Sequence, residues 1–135
     1  MIFGDIAVRA VKNNTPTEGN AREAWNVAAT GKNKGCPRTI FLGLCHVGLV
    51  KGIDEIGNYP ESIKGRERAV EAVRLLDANP EYAENPNTLW KAVKTSLGLK
   101  PEMGPNGRMD VVCGLWKAGL LKPEALAEAV EQCKA

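Results

Sequence analysis

Histidine occurs once in this chain, aromatic residues make up only 5% of it, and no apolar run is long enough to cross a bilayer. The longest such run, Ile40 to Val50, is about half the ~20 residues a spanning helix needs, and it is interrupted by His46. The N-terminus reaches Asp5 before any signal-like apolar stretch, so no targeting segment is expected. These shortages exclude membrane-spanning classes and predict a cytoplasmic protein.

Catalytic signatures are also missing. There is no G-x-S-x-G elbow, no H-E-x-x-H and no paired-carboxylate motif. Thr30-Gly31-Lys32-Asn33-Lys34-Gly35 has the glycines and lysines of a phosphate loop but not the closing Gly-Lys-Ser/Thr order. Four cysteines, Cys36, Cys45, Cys113 and Cys133, match neither a disulfide framework nor a zinc signature, and read as reduced, mostly packed thiols. Cys45 and His46 are adjacent, but neighbours on a helix point about 100° apart and no C-x-x-C or H-x-x-x-H partner is available. No metal and no cofactor is expected.

The 135 residues suit one compact domain, 1–135, and 44% hydrophobic with 25% charged residues is an ordinary globular composition. Within it the chain resembles itself. Gly43-Leu44-Cys45-His46-Val47-Gly48-Leu49-Val50-Lys51 returns as Gly114-Leu115-Trp116-Lys117-Ala118-Gly119-Leu120-Leu121-Lys122, an offset of 114 − 43 = 71. Ala7-Val8-Arg9-Ala10-Val11 returns as Ala69-Val70-Glu71-Ala72-Val73, and Trp25 is matched by Trp90. Two pseudo-repeats, approximately 4–53 and 64–122, would leave a closing helix at 123–134.

Helical periodicity runs through both copies. The first helices span about Gly4–Lys12 and Lys64–Leu76. The second pair opens after Asn20 and at Pro86, stops at Gly31 and Gly98, and carries Trp25 and Trp90 as matching core anchors. The third pair runs from near Pro37 to Gly48 and from after Asn106 to Gly119, and Pro123–Cys133 is the last helix. The expectation is an all-α domain of about seven helices: two three-helix units plus a C-terminal helix. The connector Gly52–Glu61 would separate the halves.

In the near-continuous apolar helix after Pro37, the exceptions Thr39, Gly43 and His46 form one stripe, matched by Asp110, Gly114 and Lys117 in the second copy. A glycine inside a helix costs about 1 kcal/mol against alanine, so its recurrence implies close backbone approach. The reading placed first is a crossing of the two third helices at Gly43 and Gly114; a small polar cleft around Thr39, His46, Asp110 and Lys117 is the alternative. His46 as a general base would need a second positioned group, and the sequence does not place one.

Net charge is +2, but its distribution is uneven. Ala24 to Ile53 has no acidic residue and carries Lys32, Lys34, Arg38 and Lys51; Asn87 to Pro101 is also acid-free, carries Lys91, Lys94 and Lys100, and is followed by Arg108. Both basic loops lead to a helix N-terminus, where free amides favour anions. Lys32, Lys34, Arg38, Lys94, Lys100 and Arg108 are therefore the candidate anion or nucleic-acid contacts, set against the plainer reading of solvated loops.

Each three-helix unit, Asn20–Lys51 and Asn87–Lys122, resembles a helix-turn-helix, though its loops exceed that motif's turn and its last helix offers few polar side chains to base edges. Phe41–Ile53, with Asn106-Gly107-Arg108-Met109-Asp110-Val111-Val112 downstream, resembles a family of small bacterial proteins of unknown function. That resemblance implies no activity. Three expectations follow: a non-catalytic module binding another protein or its own copy; weak, sequence-independent nucleic-acid binding through the basic loops; or a small-ligand or enzymatic site around His46.

Overall fold

The computed structural model describes residues 2–13, 35–51, 63–104 and 107–134. Among them are six α-helices: α1 (Ile2–Asn13), α2 (Gly35–His46), α3 (Ile63–Ala78), α4 (Pro86–Leu97), α5 (Arg108–Lys117) and α6 (Leu126–Lys134). Short 3-10 turns at Pro80–Glu84 and Pro123–Ala125 precede α4 and α6. The all-α expectation is met. The helix expected after Asn20, and Trp25 with it, lies outside the described residues, as does the whole of the proposed boundary at Gly52–Glu61.

The apolar spacing of each helix becomes one shared core. Ile6, Ala7, Ala10 and Val11 of α1 meet the buried side of α5, while Ala69, Val70, Ala72, Val73 and Leu76 make α3 the hub against α2, α4, α5 and α6. Ile40, Phe41, Leu42, Leu44 and Cys45 of α2 are all 0% exposed. Such a helix belongs inside a core and leaves few side chains to read base edges.

Local chemistry sets the ends of α4. The Asn85 side chain accepts the Thr88 N–H at 3.2 Å, Pro86 fills the first turn, and Gly98 stops the helix in the left-handed region at φ 67°. Leu99 N–H then donates to the Lys94 carbonyl at 2.9 Å, closing a Schellman motif.

The same motif ends α2 and α5. Leu49 N–H donates to the Leu44 carbonyl at 3.0 Å and Leu120 N–H to the Leu115 carbonyl at 2.9 Å, with Gly48 and Gly119 at φ 79° and 72°. The two emerging segments pair reciprocally: Lys51 N–H donates to Leu120 O and Lys122 N–H to Leu49 O, each at 2.7 Å. Val50 and Leu121 form the single antiparallel bridge at this point. Both are buried, so the pairing satisfies backbone groups that would otherwise be stranded in the core.

The expected crossing of Gly43 with Gly114 is corrected. A Cβ on Gly43 would lie 2.8 Å from Arg66 Cα, so Gly43 admits α3; a Cβ on Gly114 would lie 2.6 Å from Gly4 Cα, so Gly114 admits α1. Each glycine does serve close backbone approach. The backbone it admits belongs to a different helix in each case.

One polar tie joins α3 to α4. Arg74 Nε and one terminal guanidinium nitrogen each donate to Glu71 at 2.6 Å, and Ser96 Oγ donates to the same carboxylate. The Arg74 hydrogen bonds, opposed by partial burial and assisted by Ser96, hold the Glu71 carboxyl below its ordinary range. A carboxylate lowered on folding contributes stability that is complete above its unfolded pKa of about 4.3 and is lost as pH falls through the folded value. Glu71→Gln is therefore expected to cost up to about 1 kcal/mol near neutral pH and nearly nothing in strong acid. Urea midpoints of the two proteins at both pH values check this; a pH-independent difference would show that charge is not the cause.

Candidate basic groove at the end of α4

The second basic segment is organised around Trp90. This indole is 2% exposed and fixes the loop after α4 by donating Nε1–H to the Met103 carbonyl at 2.9 Å. Lys94 Nζ donates to the Pro101 and Met103 carbonyls at 2.7 and 3.2 Å and stands 5.9 Å from the Trp90 ring centre. Arg108 places its guanidinium 5.1 Å from the same ring centre and donates to the Gly104 carbonyl at 2.8 Å. Two cations held on one aromatic ring fold the loop against the end of α4. Lys94 and Arg108, predicted as anion contacts, thus have structural work in the loop.

Lys100 is exposed and Arg38 is half-buried on the first turn of α2; Lys32 and Lys34 lie outside the described residues. The glycines of the two stripes face different helices. Thr39 and His46 are half-buried on α2, whose Gly43 faces α3. Asp110, half-buried on α5, has its carboxyl raised by burial, and Lys117 forms an ion pair with Glu84 at 3.4 Å. Burial raises the Cys45 thiol and pushes Cys113 up to about 12, where Asp110 adds to the effect. Neither thiol is a ready nucleophile or thiolate ligand near neutral pH. Among the described residues no group of three His, Cys, Asp or Glu side chains stands together as a metal site, and no helix is long and apolar enough to cross a membrane.

The loop held by Trp90 shapes two contiguous grooves. One, of about 550 Å³, is lined by Lys91, Lys94, Thr95, Gly98, Leu99 and Pro101. The other, of about 420 Å³, continues across Gly98 and Leu99 to Lys64, Arg68, Leu97, Lys100 and Met103, with Glu67 the one acid among the described residues of either lining. Leu97 is 37% exposed and is the large apolar side chain left on the surface among the described residues. Sequence reasoning singled out Lys94 and Lys100 but missed Lys64, Arg68 and Leu97. The available signal was Leu97-Gly98-Leu99: apolar residues on both sides of a helix-stopping glycine in an acid-free run.

The chain belongs to a family described as a family of unknown function (DUF6979), which matches residues 1–122, and this agrees with the resemblance read from the sequence. The match ends just before the 3-10 turn at Pro123 that leads into α6. No curated protein and no solved structure matches the chain.

Proposed function

We propose, on the premise that family membership supplies no activity, that this chain is a non-catalytic binding module whose partner is another protein. Its contact surface is the pair of grooves on either side of Gly98 and Leu99. The carrying observation is the cluster of Leu97, Leu99, Pro101 and Met103 in grooves also lined by Lys64, Arg68, Lys91 and Lys100, since an apolar patch bordered by polar residues is how protein contact faces are built. The positions of Gly43 and Gly114 support this choice over a ligand site on the polar stripe, because both glycines are occupied in helix packing.

We also read the halves as copies of one unit. Support comes from the reciprocal Lys51–Leu120 and Lys122–Leu49 bonds and the paired Schellman motifs, all related by the offset of 71 residues. Gly4 and Arg66, related by 66 − 4 = 62, the offset of the first helices, likewise receive Gly114 and Gly43. In this reading the third helix of each unit packs on the first helix of the other, so the halves stabilise each other and the outer face near α4 is available for a partner.

A photo-crosslinking amino acid at position 97, in cells that make the protein, is expected to give discrete adducts that survive nuclease and disappear with protease. The same group at exposed Glu81 serves as the control and is expected to give none. Nuclease-sensitive adducts would favour nucleic acid. Equal adducts at both positions, or none, would remove this surface as a protein-contact face.

A further inference from the structure

We infer that the occupant of the two grooves is an acidic protein segment bearing bulky apolar side chains. This deepens the reading of the grooves as a protein-contact face and rests on it.

The first support is charge. Among the described residues Lys64, Arg68, Lys91 and Lys100 line the grooves with only Glu67 against them, and the stretch of sequence from Asn87 to Pro101 adds no acid. Lys64, Lys91 and Lys100 are exposed and Arg68 is half-buried, so an incoming carboxylate meets solvated ammonium groups without desolvating a buried charge. The C-terminal end of α4 opposes this with a partial negative charge of order one half. Its last carbonyls are partly neutralised by Leu99 N–H on Lys94 O and Gly98 N–H on Thr95 O, so the excess of the four cations over Glu67 decides the sign.

The second support is the apolar part of the lining. Leu97, Leu99, Pro101 and Met103 line the grooves alongside the cations, so purely electrostatic binding would leave this surface unused. A partner with carboxylates and apolar side chains matches both features, with charge steering encounter and apolar contact setting the dissociation rate.

A nucleic acid matches only the first. Single strands bind through aromatic stacking platforms, yet among the described residues no aromatic side chain lines either groove, and Trp90 is buried beneath Lys94 and Arg108. Lys94 is held on two carbonyls, which removes one of the cations a phosphate backbone would use.

The test uses the full chain as bait for a displayed library of random 16-residue peptides, followed by fluorescence anisotropy with the enriched sequences. Enriched peptides are expected to be net acidic and to carry at least two of Leu, Ile, Phe, Met or Trp. Replacing their Asp and Glu with Asn and Gln should weaken binding about tenfold or more, as should replacing the apolar residues with serine. In the protein, Lys91→Glu with Lys100→Glu should weaken binding about tenfold, whereas Lys91→Arg with Lys100→Arg should retain it. Circular dichroism establishes that both variants fold.

No enrichment, enrichment of neutral or basic peptides, or a 20-nucleotide oligonucleotide binding more tightly than every peptide would overturn the proposal. So would affinity unchanged by the charge reversal. Protein adducts at position 97 together with non-acidic enriched peptides would overturn the acidic occupant alone. Absence of protein adducts there would overturn the contact face itself.

Discussion

Trp90→Ala is expected to lower unfolding stability by about 3–5 kcal/mol, the range for truncating a buried aromatic residue. The indole is 2% exposed, so the truncation leaves a cavity between α4 and its neighbours. It also removes the Nε1 donor from the Met103 carbonyl and the ring beneath Lys94 and Arg108. Trp90→Phe retains most of the apolar contact and loses the hydrogen bond, so its expected cost is smaller, about 1–2 kcal/mol. Urea unfolding distinguishes the two, with a lower midpoint and an unchanged slope expected for each. Loss of Trp90 should also loosen the Lys94, Pro101 and Met103 wall of the grooves. The alanine variant is therefore expected to lose partner binding at temperatures where it is still folded, and a fully stable variant would contradict this placement of Trp90.

Gly114→Ala should destabilise by about 1–3 kcal/mol, although alanine is the better helix former. Intrinsic propensity favours alanine by about 1 kcal/mol. Against this, the new Cβ would stand 2.6 Å from Gly4 Cα and 3.0 Å from the Gly4 carbonyl carbon and oxygen. These are backbone atoms, which cannot swing aside as a side chain end can, so α1 and α5 must separate and lose packing along their length. Gly4→Ala meets the Asp110 carbonyl oxygen at 2.7 Å and should cost a similar amount. The double variant should cost less than the sum, because helices separated by one methyl group have already made room for the second. Thermal unfolding of the two single variants and the double variant checks the sign and the coupling. A stabilised Gly114→Ala would mean that α1 and α5 do not approach this closely.

Much of the fold was legible because its strongest determinants are local. Pro86 and Gly98 bound α4 where expected, and the glycines at 48, 98 and 119 end their helices in the left-handed conformation predicted for them. The burial of α2 follows directly from its unbroken apolar surface. The partners of Gly43 and Gly114 were not legible. A helical glycine announces that some backbone comes close, but whether α3, α1 or the other third helix supplies it depends on how the chain returns in three dimensions. The Pro80–Glu84 turn and the Val50–Leu121 bridge were missed for related reasons. The first is too short to show a period, and the second pairs residues far apart in sequence.

Among the proposed site residues, charge was visible and its employment was not. Lys94 and Arg108 look in sequence like free cations in a basic loop, yet Trp90 and the carbonyls of Pro101, Met103 and Gly104 hold them. Lys64 and Arg68 lie on α3, far in sequence from the loop, and only the packing of α3 on α4 brings them to the groove beside Leu97.

The measurement that bears most directly on the proposed role is the comparison of crosslinking from positions 97 and 81 in cells that make the protein. Discrete, nuclease-resistant protein adducts from position 97, absent from position 81, are the predicted result. Nuclease-sensitive adducts, or the same pattern from both positions, would contradict a protein-contact face at the end of α4.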